Sequence, residues 1–295
     1  MILDIETTGL SPKYTQVILV GIIYKDENKW LLTQIFCDHR SEEHELLKAL
    51  QNYIKEDHML ITYNGYAFDI PYLNKRYKAH KMDYQINDSI NFDLYRVIRS
   101  SKKELNLESY KLKNIEEYLG IYREDQISGK ESVALYDRYE HEPSEELRDI
   151  ILLHNSDDIE YMIPTFQILN HIPMDIIEKY YPFTYNSDDL GLITCTKYLA
   201  YESYIEVDFY HLKDYFPILD YQDHYDVVIQ NKTVKMRIPL FQISDRSFID
   251  IDLMDFLHEN FNDLSYEDQV KYEVTSKGQT LTSIKHILKE YLNKP

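Results

Sequence analysis

Several things that would mark a protein class are scarce in this chain. It has two cysteines, Cys37 and Cys195, and they form no metal-ligand spacing. Such isolated thiols point to a reducing compartment, and the cytoplasm is the expected location. No run of about 18 apolar residues occurs, so no membrane span is expected. A cleavable signal peptide is also unexpected, because cleavage would remove the acidic pair that begins at Asp4. There is no internal repeat and no low-complexity tract. Positive charge is short as well: 32 Lys and Arg stand against 51 Asp and Glu, a net charge of −19. That balance is unusual for a nucleic-acid binder. The cations that exist are nonetheless grouped. Lys75, Arg76, Lys78 and Lys81 have no acid among them, and only Glu104 and Glu108 interrupt the run Arg96, Arg99, Lys102, Lys103, Lys111 and Lys113.

With 295 residues, 44% of them hydrophobic, the chain can build one large domain or two smaller ones. The 28 tyrosines are read as composition and half-buried positions, not as a base-stacking array. Ile2–Ile5, Val17–Tyr24 and Trp30–Phe36 have the composition of strands, with a turn at Asp26-Glu27-Asn28. Ser41 is a plausible N-cap for a helix to about Lys55. A short strand follows at Met59–Tyr63, a helix from Phe68 to about His80, and a strand at Asn87–Phe92. Helical patterns then run near Leu94–Arg99, Leu112–Leu119 and Glu131–Tyr139, and from Pro143 onward. Beyond about residue 171 the character changes. Leu190–Phe209 and Thr233–Ile243 look like strands, Phe248–Phe261 is ambiguous and Thr280–Leu292 is helical. The pattern predicts an α/β fold, a mixed sheet flanked by helices over residues 1–170, with an α+β accessory region over residues 171–295.

The most informative stretch is Asp4-Ile5-Glu6-Thr7-Thr8-Gly9-Leu10. Strand residues two apart face the same way. Asp4 and Glu6 therefore present two carboxylates to one side, an arrangement that a divalent cation makes tolerable. A second stretch, residues 61–76, runs through Asn64-Gly65 to Phe68-Asp69, which opens a helix. Asp69 there is either a helix-start residue, favoured by the macrodipole, or a ligand. The third is Leu152-Leu153-His154-Asn155-Ser156-Asp157-Asp158. His154 and Asp158 are four apart and share a helix face. At about 100° per residue, Asp158 borders the side formed by Ile151, Asn155, Ile159, Met162 and Phe166, and Asp157 falls nearly opposite. Asp158 is thus the expected ligand and Asp157 is expected in solvent. Ser128-Gly129-Lys130-Glu131 is either a turn with a cap or a means of presenting Lys130 to phosphate.

Taken in order, Asp-x-Glu, Asn-Gly-x-x-Phe-Asp and a late helix with His four before Asp resemble the DEDD-type 3′→5′ exonucleases, which have a ribonuclease-H-like fold. The spacing of the last motif is that of the tyrosine subclass, whereas its residue is that of the histidine subclass. The stretches 61–76, 111–131 and 152–158 look similar to the bacterial YprB-like ribonuclease-H-like family, over roughly residues 1–170. The resemblance implies Asp4, Glu6, Asp69 and Asp158 as metal ligands, with His154 as the base that accepts a proton from the attacking water. All-oxygen ligands suit two Mg²⁺ or Mn²⁺ ions, about 3.5–4 Å apart in two-metal sites. Arg76, Lys111, Lys113 and Lys130 are candidates for phosphate contacts, as is Lys75, the bland alternative for each being a solvated surface. Thr7, Asn64, Phe68 and Asn155 adjoin the ligands and complete the substrate-contacting set. The expected partner is single-stranded DNA or RNA. The rival readings are a non-catalytic binding module on the same scaffold and a proofreading subunit for a separate polymerase.

Overall fold

The computed structural model describes residues 1–27, 29–55, 58–123 and 127–294, in two compact units, Met1–Tyr180 and Tyr181–Pro295. The first unit is built on a five-stranded mixed sheet in the order β3-β2-β1-β4-β5. Its strands are β1 (Ile2–Thr7), β2 (Val17–Asp26), β3 (Lys29–Phe36), β4 (Leu60–Thr62) and β5 (Asn91–Asp93). β1, β2 and β3 form an antiparallel meander, and β4 and β5 add in parallel to β1. β2 is buried over its first seven residues, which accounts for its unbroken apolar run Val17–Ile23. Of the expected turn, Glu27 takes a left-handed conformation (φ 49°), and Asn28 lies outside the described residues.

The helices of this unit are α1 (Glu43–Leu50), α2 (Asp69–Ala79), α3 (Leu94–Ser100), α4 (Lys102–Leu105), α5 (Leu112–Tyr118), α6 (Gly129–His141), α7 (Glu145–Glu160), α8 (Met162–Thr165) and α9 (Met174–Tyr180). The expected cap at Ser41 is displaced. His39 caps a 3₁₀ turn, Arg40–Glu42, by accepting from the Ser41 N–H at 3.2 Å, and α1 begins only at Glu43 and stops at Leu50. The boundary expected at 170/171 falls within a further 3₁₀ segment, Phe166–His171, and the first unit extends through α9. Ile176, Ile177 and Tyr180 of α9 pack against the core formed by Leu94, Val97, Ile98 and Ile168.

β1 and β4 part soon after Ile2, which pairs with Ile61. Beyond that point the Ile5 N–H has no strand partner, and Asp69 Oδ1 accepts it at 3.2 Å. This opening lies at the carboxyl ends of the parallel strands, where open α/β sheets place their ligand sites.

The second unit is a seven-stranded sheet in the order β6-β7-β8-β11-β10-β9, with β12 paired to β11. Its strands are β6 (Thr184–Ser187), β7 (Gly191–Ala200), β8 (Tyr204–His211), β9 (Ile218–Tyr221), β10 (Asp226–Gln230), β11 (Thr233–Ile243) and β12 (Arg246–Ile249). α10 (Tyr266–Lys271) and α11 (Lys277–Leu292) follow, and α11 packs Leu281, Ile284, Ile287 and Leu288 into the core. The apolar run Leu190–Phe209 is two strands rather than one, turned at Tyr201-Glu202-Ser203. Among the described residues no helix is long and apolar enough to cross a membrane.

Candidate active site

Four carboxylates meet at the opening in the first sheet. Asp4 and Glu6 come from β1, Asp69 from the first turn of α2 and Asp158 from α7, and all four line one cavity of about 1070 Å³. Gly21 of β2 faces Asp4 across the ladder. Its missing Cβ is what admits α7: a methyl there would stand 2.1 Å from Asn155 Oδ1 and 2.8 Å from Ile159 Cδ1. Asn155 is fully buried in that space. It accepts from Gln34 Nε2 at 3.0 Å and donates from Nδ2 to Asp4 Oδ2 at 2.9 Å, which fixes the Asp4 carboxylate.

The electrostatics are those of acids crowded together. Burial, followed by the charges of Asp69, Asp158 and Glu6, holds the Asp4 carboxyl well above the usual carboxylate range, against the hydrogen bond from Asn155. Burial likewise pushes Glu6 up to about 7, with His154 acting against it. Asp69 is pushed up to about 7 by burial, although backbone N–H groups favour its charged form. Carboxylates that raise one another in this way are relieved by a divalent cation. The donor set fits such an ion, since Glu6, His154 and Asp158 each offer a ligand atom and these lie within 4.8 Å of one another. His154 Nε2 is 3.6 Å from Glu6 Oε1 and 3.9 Å from Asp158 Oδ2, so it stands between the two carboxylates.

Other residues expected at the site are distributed around it. Thr7, Asn64, Phe68, Lys111, Lys113 and Lys130 line the same cavity. Thr7 donates to the Gly9 carbonyl at 2.9 Å and Lys113 to the Ile127 carbonyl at 2.6 Å, while Lys111 and Lys130 are exposed. Ser128 caps α6 in a reciprocal box with Glu131, and Lys130 in the first turn of that helix lines the cavity. Asn155 acts through Asp4.

Arg76 is a correction. It is buried, donates from Nε to Glu43 Oε1 at 2.8 Å and from Nη1 to the Pro12 carbonyl at 2.8 Å, and does not line the cavity. Glu43 is the fully desolvated acid that demands this cation, and it also accepts from the Val17 N–H at 2.8 Å. Asp157 is a second correction, since it is buried rather than in solvent. α7 packs on α6 as well as on the sheet, and the stripe Leu147, Ile151, His154 continues to Asp157. A single apolar face understated that buried arc.

One participant carries no spacing signal in the sequence. Arg123 bonds Glu116 through Nε and Nη2 at 2.6 Å each and also bonds Asp158 through Nη1. Its side chain is 4% exposed and that of Glu116 1%, so this is an interior ion cluster. Glu116 reads as an ordinary helix residue, and only the shared burial with Asp158 reveals the arrangement.

Comparison with known proteins bears on the family of the first 170 residues. A DNA polymerase of Thermococcus aggregans is 28% identical over 171 residues, 48% of this chain and 9% of that protein. An uncharacterised protein of Methanocaldococcus jannaschii is 27% identical over 171 residues, 57% of this chain and 93% of that one. The chain thus spans about a tenth of the first relative and nearly all of the second. The solved structure of a family B DNA polymerase from Pyrobaculum calidifontis superposes with a TM-score of 0.45 at 14% identity, covering 70% of this chain and 33% of that one. A family model of the RNase H superfamily matches residues 1–170, and the chain belongs to that superfamily.

Proposed function

We propose that the first unit is a metal-dependent 3′→5′ exonuclease acting on single-stranded DNA or RNA ends. The observation that carries this reading is the convergence of Asp4, Glu6, Asp69 and Asp158 on one cavity, with three of them pushed up by burial and by their neighbours. A pure binding module has no reason to turn four acids toward a polyanion. The order of the motifs, shared with the DEDD-type exonucleases, supports the 3′→5′ direction. Asp4, Glu6, Asp69 and Asp158 would hold two Mg²⁺ or Mn²⁺ ions, which supply charge neutralisation at the attacking and leaving oxygens of an in-line displacement. Asn155 holds Asp4 in register, and the Arg123–Glu116 pair holds Asp158. His154, beside Glu6 and Asp158, is placed to accept the proton of the attacking water. Lys111, Lys113 and Lys130 on the cavity wall meet phosphate oxygens without reading sequence. The second unit, beyond Tyr180, positions substrate or partners and takes no part in the chemistry.

The test uses strands of DNA and RNA labelled at either end, incubated with Mn²⁺ or with EDTA. Stepwise shortening of 5′-labelled strands, with release of the label as mononucleotide from 3′-labelled ones, is expected in Mn²⁺ alone. Internal cleavage or shortening from the 5′ end contradicts the assigned direction.

A further inference from the structure

Next to the acid-lined cavity lies a cleft of opposite character. It encloses about 520 Å³ and is walled by Tyr66, Tyr95, Arg96, Arg99, Lys102 and Tyr180 among others, and Asn64 lines both cavities. No Asp or Glu lines it, in a chain where 51 of 295 residues are acidic. Among the described residues none of Arg96, Arg99 and Lys102 forms an ion pair with a carboxylate. The charge of Arg96 is met in part by the buried Asp93 carboxylate behind the wall, whereas Arg99 and Lys102 stand exposed beside it, and the mutual repulsion of three cations in one cleft asks for an anion from outside the protein.

The cleft is also built, not merely charged. The buried Asp93 carboxylate accepts the backbone N–H groups of Asn64 at 2.9 Å, Tyr66 at 3.0 Å and Tyr95 at 3.0 Å. That ties the loop after β4 to the start of α3 and fixes the wall shared by the two cavities. Asn64 holds a left-handed conformation there (φ 69°), which Asn tolerates better than most residues. The Arg96 guanidinium lies 3.9 Å over the Tyr66 ring and 5.0 Å from that of Tyr180. Arg99 donates to the Tyr95 hydroxyl at 3.1 Å. Tyr66 is itself 43% exposed, so a ring is offered to solvent beside the cations. Cations on one wall beside the exposed ring of Tyr66 and the half-buried rings of Tyr95 and Tyr180 match a single-stranded nucleic acid, whose phosphates need charge and whose bases need a stacking surface.

We infer that this cleft is a subsite for the single strand leading away from the scissile phosphate, with Arg99 and Lys102 on its phosphates and Tyr66 under a base. The inference rests on the reading of the acid-lined cavity as a nucleic-acid site. It gives a strongly acidic protein a local means of holding a polyanion. It also makes affinity depend on strand length, since only a strand extending past Asn64 reaches the cations.

The test is fluorescence anisotropy with labelled ten-residue oligothymidylate and oligouridylate and with a labelled trinucleotide. Binding is measured in EDTA across a range of NaCl concentrations, and hydrolysis is followed separately in Mn²⁺. For the double variant Arg99→Ala/Lys102→Ala, decamer affinity is expected to fall at least tenfold and trinucleotide affinity by less. The slope of log K against log salt should flatten by roughly 1.4, two contacts at about 0.7 each for single strands. Tyr66→Ala should weaken decamer binding about tenfold without changing the slope, because stacking carries no counterion term. The charge-keeping variant Arg99→Lys/Lys102→Arg should retain the slope, as should Lys48→Ala on the exposed face of α1. The altered side chains are exposed, and melting curves confirm that each variant folds. An unchanged decamer affinity and slope in the double variant overturns the subsite, as does a wild-type protein that binds no decamer at low salt. Hydrolysis by a protein whose slope ignores Arg99 and Lys102 leaves the exonuclease reading standing and removes the subsite. Binding that depends on them without hydrolysis does the reverse.

Discussion

Arg123 donates to Asp158 with one arm of its guanidinium and grips Glu116 with the other two nitrogens, at 2.6 Å each. A loop cation and a carboxylate from α5 thereby set the position of an acid on α7, and all three side chains are mostly withdrawn from water. Removing the cation strands two acids. Arg123→Gln is expected to cost about 3–5 kcal/mol, the range for breaking a buried ion pair on one side. The double replacement Arg123→Met/Glu116→Met should recover part of that, because the fully buried Glu116 is then gone and only Asp158, 24% exposed, is left without its cation. Urea unfolding in EDTA checks both, and a single variant within about 0.5 kcal/mol of wild type would show that the pair is solvated in solution.

Gly21 is tied to the acid site by volume alone. A Cβ there would collide with Asn155 and Ile159. Asn155 is held by Gln34 and Asp4, so it has no free direction in which to yield. Gly21→Ala is expected to destabilise by about 1–3 kcal/mol, the usual cost of overpacking, and to lower turnover by releasing Asp4. Gly129→Ala is the control: nothing lies within 4 Å of a Cβ built there, at the first residue of α6. Its expected effect is neutral to stabilising by up to about 1 kcal/mol. Equal melting temperatures for the two variants would contradict the packing argument.

The raised carboxylates make metal-free stability depend on pH. Folded Asp69 titrates near 7, against an ordinary value of 3.8, so between those values the native state binds more protons than the unfolded state. Stability then falls as pH rises through that window; the penalty is absent below it and complete above it. Asp69→Asn keeps an oxygen for the Ile5 N–H and removes the charge. Its melting temperature in EDTA is expected to gain on wild type from about pH 4 to about pH 7 and then level off. Each kcal/mol corresponds to about 2–4 °C at this size. A constant difference across the window would show that Asp69 is ionised throughout.

His154 separates a base from a ligand. If it takes the proton of the attacking water, His154→Ala should lower kcat about 10²–10⁴-fold. Mn²⁺ affinity by calorimetry should stay nearly intact, and the acidic limb of the pH–rate profile should move. A loss of metal affinity that matches the loss of rate would make His154 a ligand beside Glu6 and Asp158.

Much of this arrangement is legible in the chain because the informative residues sit where local rules apply. β2 and β11 are apolar or β-branched runs that begin where the composition changes, at Val17 and Thr233. Asp4 and Glu6 need only strand alternation to be paired, and a helical wheel turns Asp158 toward the sheet, although the same wheel misplaces Asp157. What was not legible depends on partners distant in sequence. Ser41 has cap chemistry, but His39, two residues earlier, forms the reciprocal cap with Glu42, and the Arg40 N–H is taken by Glu140 at 2.9 Å. Arg76 reads as a candidate phosphate contact because nothing local shows that Glu43 is buried beside it. β7 and β8 read as one run because their turn at Tyr201-Glu202-Ser203 contains neither Gly nor Pro. Asp157 reads as solvent-facing because α6, which packs on α7, has no signature in the sequence of α7.

The central claim is that the acids of β1 and α2 do chemistry together with a divalent cation. The most direct measurement compares wild type with Asp4→Asn and Asp69→Asn on one 5′-labelled single strand, in Mn²⁺ and in EDTA, after melting curves show that all three are folded. The account predicts progressive shortening by the wild-type protein in Mn²⁺ and no hydrolysis in any other combination. Undiminished cleavage in EDTA, or by folded Asp4→Asn in Mn²⁺, would contradict it.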